Sequence, residues 1–279
     1  MNSPLGNLFQ RSIVYLSAAF LVLLCGFPLV WMIITSLKPS SEILSQDFRL
    51  LPSYLTAAAY GRLVTETEFV RFFVNSFIVS LITTMVTIFV GTLAAYAITR
   101  YEFRGKQTFS TTILFIYMFA PIMIIVPLYV VLRALGLIDT RAGLVLAYTT
   151  FALPFSLWML RSFFKSIPID LELAALVDGA SRAQAVWHVI FPLAFPGVVA
   201  VSVFTFLVAW NDYLFARVLI ASSGLKTLTV GVQDMVDASA TDWGLLMAAG
   251  VLITLPVFLA FLFLQKYLVA GWGTGGVKG

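Results

Sequence analysis

Six long apolar runs, separated by shorter polar stretches, organise this chain. They cover roughly residues 13–37, 72–98, 108–132, 142–164, 194–218 and 244–268. A helix crossing the hydrocarbon core of a bilayer needs about 20 mostly apolar residues at about 1.5 Å rise each. Each run meets that length. The pattern predicts an all-α, polytopic membrane protein with six transmembrane helices. Residues 13–268 form the membrane domain, with a short segment 1–12 before it and a tail 269–279 after it. An outer-membrane barrel would show alternating segments of about ten residues instead, and none is seen.

Helix breakers fall inside the runs. Pro121 and Pro127 lie in the third, Pro154 in the fourth and Pro256 in the sixth. Each removes a backbone hydrogen bond and tends to kink its helix. Two readings stand: ordinary membrane-helix prolines, or kinked helices around an opening passage. The second run carries Ser76, Ser80, Thr83, Thr84 and Thr87 at spacings of three or four. Small and hydroxylated residues let membrane helices approach closely, so packing is the expected role. In the first polar loop, about 38–71, a short helix is expected near 57–64. The 133–141 loop reads as a short polar connection.

Composition sharpens this. The 279 residues are 61% hydrophobic and 11% charged, against about 25% charged in soluble domains. The net charge of +4 lacks the clustered basic face of a nucleic-acid binder. Cys25 is the only cysteine, which excludes an intrachain disulfide. The first run is too long for a signal peptide and lacks a small-residue cleavage site, so it is expected to be retained. With both termini inside, nine Lys/Arg lie inside and eight outside. The short 99–107 loop, with Arg100, Arg104 and Lys106, and the flanking Arg161 and Lys165 favour cytoplasmic termini, because short loops and span ends carry the most weight.

The most patterned polar stretch is Pro168–Pro192, between spans four and five. Asp170 and Glu172 suit the positive end of a short helix over Leu171–Val177. Gly179 can adopt the conformation that ends it and turns the chain. Ser181 with Gln184 has capping-box spacing and opens a second helix, expected to stop at Pro192. The result is a helix–turn–helix along the membrane surface. On pattern alone it is either an interfacial anchor or a docking surface for a soluble partner.

Leu173-Ala174-Ala175-Leu176-Val177-Asp178-Gly179, followed by Val189-Ile190-Phe191-Pro192, resembles the E-A-A-x-x-x-G motif of permease subunits in bacterial ABC importers. Asn75-Ser76, Trp210-Asn211-Asp212-Tyr213-Leu214, Trp243-Gly244 and the terminal Gly276-Val277-Lys278-Gly279 resemble the carbohydrate-uptake branch, the maltose-type second permease of a type I importer. The resemblance implies that 168–192 is a cytoplasmic coupling helix against a partner ATPase. Glu172, Ala174, Ala175, Asp178, Gly179 and Ala180 would be the contact residues. The motif's Glu position is Leu173 here, and one residue turns a helix position by about 100°. Glu172 should therefore point elsewhere, and Glu172→Ala is expected to be milder than loss of the motif's own Glu. The implied partners are a second permease subunit, a cytoplasmic ATPase dimer and an external solute-binding protein, in a bacterial cytoplasmic (inner) membrane. The tail is short and flexible enough to reach the ATPases.

No G-x-x-x-x-G-K-S/T occurs, so this chain is expected to bind no ATP of its own, and ATP with Mg belongs on the partner. His188 is the sole histidine and no Cys/His cluster exists, which argues against zinc. No nucleophile–base pair stands out, so a non-catalytic subunit is expected and a membrane-embedded enzyme is not. Asn211 and Asp212 are candidates for hydrogen-bonding a polyhydroxyl solute, with Trp210 or Tyr213 stacking on a sugar face. The competing role for Asp212 is structural, in a pair with Arg217. The substrate class implied is a sugar or oligosaccharide, with a glycerol-phosphate-like solute as the alternative. An ion-coupled secondary transporter would carry more intramembrane ionisable residues or an inverted repeat.

Overall fold

A computed structural model describes residues 4–43, 45, 49–237 and 242–273, and among them every regular element is helical. In chain order these are α1 (Pro4–Ser36), α2 (Ser40–Ile43), α3 (Ala58–Thr65), α4 (Phe69–Arg100), α5 (Lys106–Tyr117), α6 (Pro121–Ala134), α7 (Arg141–Ser166), α8 (Ile169–Val177), α9 (Arg182–Ala185), a π-helical turn Val186–Ile190, α10 (Phe191–Trp210), α11 (Leu214–Leu219), a 3₁₀ turn Ser223–Leu225, α12 (Leu228–Val236) and α13 (Trp243–Gly273). The all-α class stands. The short helix of the first loop is α3. The tail from 274 onward and residues 1–3 lie outside the described residues.

Among the described residues, five helices are individually long and apolar enough to span a bilayer: 13–36, 69–100, 141–166, 182–210 and 243–265. The third run differs from one straight span. It is α5 and α6, bent by 103° at the break between them. Pro121 explains the position. Its ring disfavours helical backbone in the residue before it, and Ala120 is extended at φ −62°, ψ 138°. Counting the bent pair as one gives six spans. Pro127, Pro154 and Pro256 instead sit inside continuous helices.

The fifth span also differs. The second helix of the polar segment does not stop at Pro192. It continues from α9 through the π turn into α10 as one apolar stretch, Arg182–Trp210. In the π turn the Phe191 amide donates to the Val186 carbonyl, five residues back. The missing Pro192 donor falls where this widened turn hands over to α10. The run expected to reach 218 breaks at Asn211–Tyr213 and resumes as α11.

The chain divides into two units. Residues 1–69 with 232–255 form one. There α3 buries Ala59 and Leu63, and Arg62 pairs with Asp242. Ser36 Oγ donates to the Ile33 carbonyl at 2.8 Å and meets the Tyr60 hydroxyl at 2.7 Å. None of the apolar window in α1 is buried.

Residues 70–231 with 256–279 form the other unit, with two apolar clusters. Val79, Leu144, Tyr148, Phe215 and Leu219 pack near the N-terminal ends of α4 and α7. Ala95, Ile98, Leu160, Phe164, Ile190 and Val201 pack near their C-terminal ends. Between helices α7 and α10, Ser156 and Thr205 meet at 3.0 Å, fully buried. Gly197 lets α10 lie directly on Phe163, since a Cβ there would sit 2.2 Å from the ring. Of the hydroxyl face of α4, Ser76, Ser80, Thr83 and Thr87 are buried as packing requires, while Thr84 is half-buried and donates to the Ser80 carbonyl at 2.7 Å. Ser76 Oγ accepts from the Leu228 amide at 2.7 Å.

Candidate functional site

The polar segment folds as a closed helix–turn–helix. α8 opens with Asp170 and Glu172 in its first turn. It ends in a Schellman arrangement: the Ala180 amide donates to the Ala175 carbonyl at 3.0 Å and the Gly179 amide to Leu176 at 3.1 Å. Gly179 has φ +89°, a left-handed conformation that costs other L-residues energy. The capping box forms in full: Ser181 Oγ accepts from the Gln184 amide at 3.3 Å, and Gln184 Oε1 accepts from the Ser181 amide at 2.8 Å. The turn borders a shallow notch of about 390 Å³, lined by Ala175, Asp178, Gly179, Ala180, Gln184 and His188 among others.

Exposure sorts the predicted contact residues. Ala174, Asp178 and Gly179 are exposed, and Ala175 and Ala180 are half-buried around the notch. Ile169, Leu173 and Val177 are also exposed, Val177 by 86%. Spaced four apart, they form one apolar edge of α8. His188 is exposed and its Nδ1 lies 3.0 Å from the Gln184 carbonyl oxygen.

Glu172 is the correction. It was expected at the ATPase-facing surface, but it is 4% exposed and turned into its own chain. Its carboxylate pairs with Arg100 Nε at 3.1 Å and accepts from the Tyr96 hydroxyl at 2.6 Å. Arg100 also donates to the Ile167 carbonyl at 3.1 Å. The one-residue register shift thus carries the acid from the exposed edge to the buried one. A mild Glu172→Ala effect is no longer expected, because removing one member of a buried pair strands the other charge. Tyr96, Arg100 and Tyr101 were missed in the sequence. An Arg at the end of a span reads as a surface anchor, and its partner lies 72 residues away.

The solute candidates separate likewise. Trp210 is 1% exposed, stacked on Phe206 with ring centroids 5.5 Å apart and edge-on to Phe73 at 5.4 Å. It is a core residue and has no free face for a sugar. Asp212 caps α11, accepting from the Phe215 amide at 3.0 Å and the Ala216 amide at 3.3 Å. Asn211 and Tyr213 are exposed, and the Asn211 amide group donates to the Leu207 carbonyl at 2.9 Å.

At the other end of the same unit, two loops are clasped. Asp139, at φ 58°, accepts from the Ala221 and Ser222 amides at 3.0 and 2.9 Å and from the Ser222 hydroxyl. These donors, the Ser222 hydroxyl first, hold its carboxyl below the usual carboxylate range. Asn75 donates to the Gly224 and Lys226 carbonyls, both at 3.0 Å, and accepts from Arg141 at 2.8 Å.

Residues 87–273 match the family described as binding-protein-dependent transport system inner membrane component. The trehalose transport system permease protein SugB of Mycobacterium tuberculosis is 40% identical over 254 residues, 90% of this chain and 92% of that protein. The trehalose/maltose transport system permease protein MalG of Thermococcus litoralis is 31% identical over 276 residues, 98% of this chain and 99% of that protein. Among solved structures, a chain of a bacterial ABC transporter involved in import of the acidic polysaccharide alginate superposes with a TM-score of 0.82. It covers 96% of this chain and 99% of its own length at 24% identity, a likeness of fold.

Proposed function

The chain belongs to the family of binding-protein-dependent transport system inner membrane components, and from that premise we propose that it is the permease half of a sugar or oligosaccharide importer driven by ATP hydrolysis in a separate subunit. One observation carries the coupling part: an exposed notch around Gly179, flanked by the apolar edge Ile169, Leu173 and Val177, on a helix–turn–helix rigidified by its own caps. Exposed apolar side chains repeated along one edge of α8 gain from a partner that removes them from water. The names of the relatives, trehalose and trehalose/maltose permeases, support the sugar class.

In this reading both termini and the 168–192 segment face the cytoplasm. ATP, with Mg, is held by the partner ATPase dimer, and a second permease supplies the other wall of the pathway. A solute-binding protein docks on the opposite face, where the Asp139 and Asn75 clasps hold the loops in register. Exposed Asn211 and Tyr213, at the break after α10, are the solute-facing candidates of this chain. Transport requires that ATP and the loaded binding protein favour different conformations of the permease.

The test is purification of the tagged chain from native membranes in mild detergent, with mass spectrometry of what accompanies it, and uptake of labelled disaccharides and glycerol phosphate by cells with and without the gene. A second permease and a P-loop ATPase, with disaccharide uptake lost in the deletion, are the expected results. Recovery of the chain alone would overturn the coupling reading. Loss of glycerol phosphate uptake only would overturn the substrate class.

A further inference from the structure

The C-terminal end of α4 reaches both arms of the polar segment. On one side Arg100 and Tyr96 hold Glu172 of α8, with both partners of the ion pair about 95% buried (side-chain exposures of 6% and 5%). Arg100 also holds the Ile167 carbonyl just before α8. On the other side the guanidinium of Arg182, first residue of α9, lies 5.6 Å from the centroid of the Tyr101 ring. Tyr96 and Tyr101 meet edge to face at 6.1 Å, and Tyr96 meets Phe164 of α7 at 6.3 Å. One span end is thereby tied to α8, α9 and α7 at once. Only α7 and α10 are joined to the segment through the sequence; α4 is joined through side chains.

A chain under displacement moves what it is bonded to most stiffly. A surface salt bridge would yield, because solvent replaces either partner at little cost. A buried one does not, since parting the charges leaves each desolvated and unpaired. We propose that Arg100, Glu172, Tyr96 and Tyr101 are positioning residues for transport: they make α4 a direct receiver of displacement of the 168–192 segment, so that the second span moves when the ATPase subunits close. The inference rests on the coupling function proposed above.

The test uses the complete importer in proteoliposomes, with a spin label at position 93, on an exposed face of α4, or at position 183, exposed on α9. A non-hydrolysable ATP analogue is expected to change the spectrum at both positions in the unsubstituted complex. In Glu172→Gln combined with Tyr101→Leu, the change at 183 persists while that at 93 is lost, and solute taken up per ATP hydrolysed falls at least about fivefold. The charge-reversed pair Arg100→Glu with Glu172→Arg restores part of both. A merely structural anchor would lower the amount of assembled complex without separating the two labels. An undiminished response at 93 in the double variant overturns the proposal. Absence of any response at either label in the unsubstituted complex overturns the coupling function itself, and this inference with it. Should the double variant fail to assemble, Tyr96→Phe, which removes only a hydroxyl, is read by the same criterion.

Discussion

Gly179 offers a substitution whose cost can be worked from geometry. Its φ of +89° lies in the left-handed region, and a Cβ built on it meets nothing within 4 Å. The penalty for any other residue is therefore conformational and not steric. For Ala, holding the left-handed form costs about 1–2 kcal/mol. Escaping it by opening the turn surrenders two backbone hydrogen bonds worth about 0.5–1.5 kcal/mol each. The conformational cost of about 1–2 kcal/mol shifts the balance from closed to open turn by a factor of about 5–30. The readout is hydrogen exchange of the Ala180 amide, which donates to Ala175 in the closed turn. In the isolated permease Gly179→Ala should exchange about 5–30 times faster, after correction for intrinsic rates. Gly179→Leu should match Ala, because the space is open, and Gly179→Asn should fall nearer to glycine, because Asn tolerates this conformation. Leu exchanging far faster than Ala would refute the steric argument. Ala exchanging like glycine would refute the conformational one. In the complete importer the comparison changes meaning: there, uptake lower for Leu than for Ala reports a partner surface filling the notch.

Three further outcomes are expected. Trp210→Ala should destabilise the permease by about 3–5 kcal/mol, as large core truncations do, whereas Tyr213→Ala should leave thermal stability within about 1 kcal/mol; equal melting temperatures would return Trp210 to the solute candidates. Gly197→Ala should cost about 1–3 kcal/mol by overpacking against Phe163, measured as a lower unfolding midpoint in detergent. The Asp139 clasp should be pH-dependent. Its carboxyl is held low in the fold, so its contribution is complete above the unfolded value of about 4 and fades as pH falls through the folded one. The difference in melting temperature between the unsubstituted protein and Asp139→Asn should therefore narrow on acidification below about pH 4.

What could be read from the sequence was what depends on nearest neighbours along the chain. Four of the six apolar runs, the short helix α3, the glycine turn and the Ser181–Gln184 box follow from periodicity and caps, and each appears where the pattern puts it. The packed hydroxyl face of α4 follows from spacing alone. What escaped depends on distance. Pro121 announced a kink but not a 103° bend. Pro192 read as a stop, since nothing in the composition of VWHVI signals that a widened turn absorbs a missing donor. Glu172 and Trp210 carried the chemistry of a surface and a sugar platform, and only the fold shows that the one faces Arg100 and the other Phe206.

The π turn at Val186–Ile190 has a bearing on how this segment could change over evolutionary time. A π turn amounts to one residue more than an α-helix needs over the same rise. Deleting one residue there would let α9 and α10 join as plain α-helix with everything upstream keeping nearly its present bearing on α10, whereas a deletion in the plain helix beside it would rotate the upstream part by about 100°. The notch, the Gly179 turn and the apolar edge of α8 would keep both their bearing and their internal geometry. The π turn thus gives this one stretch room to lose a residue without changing the phase between the fifth span and the surface it presents.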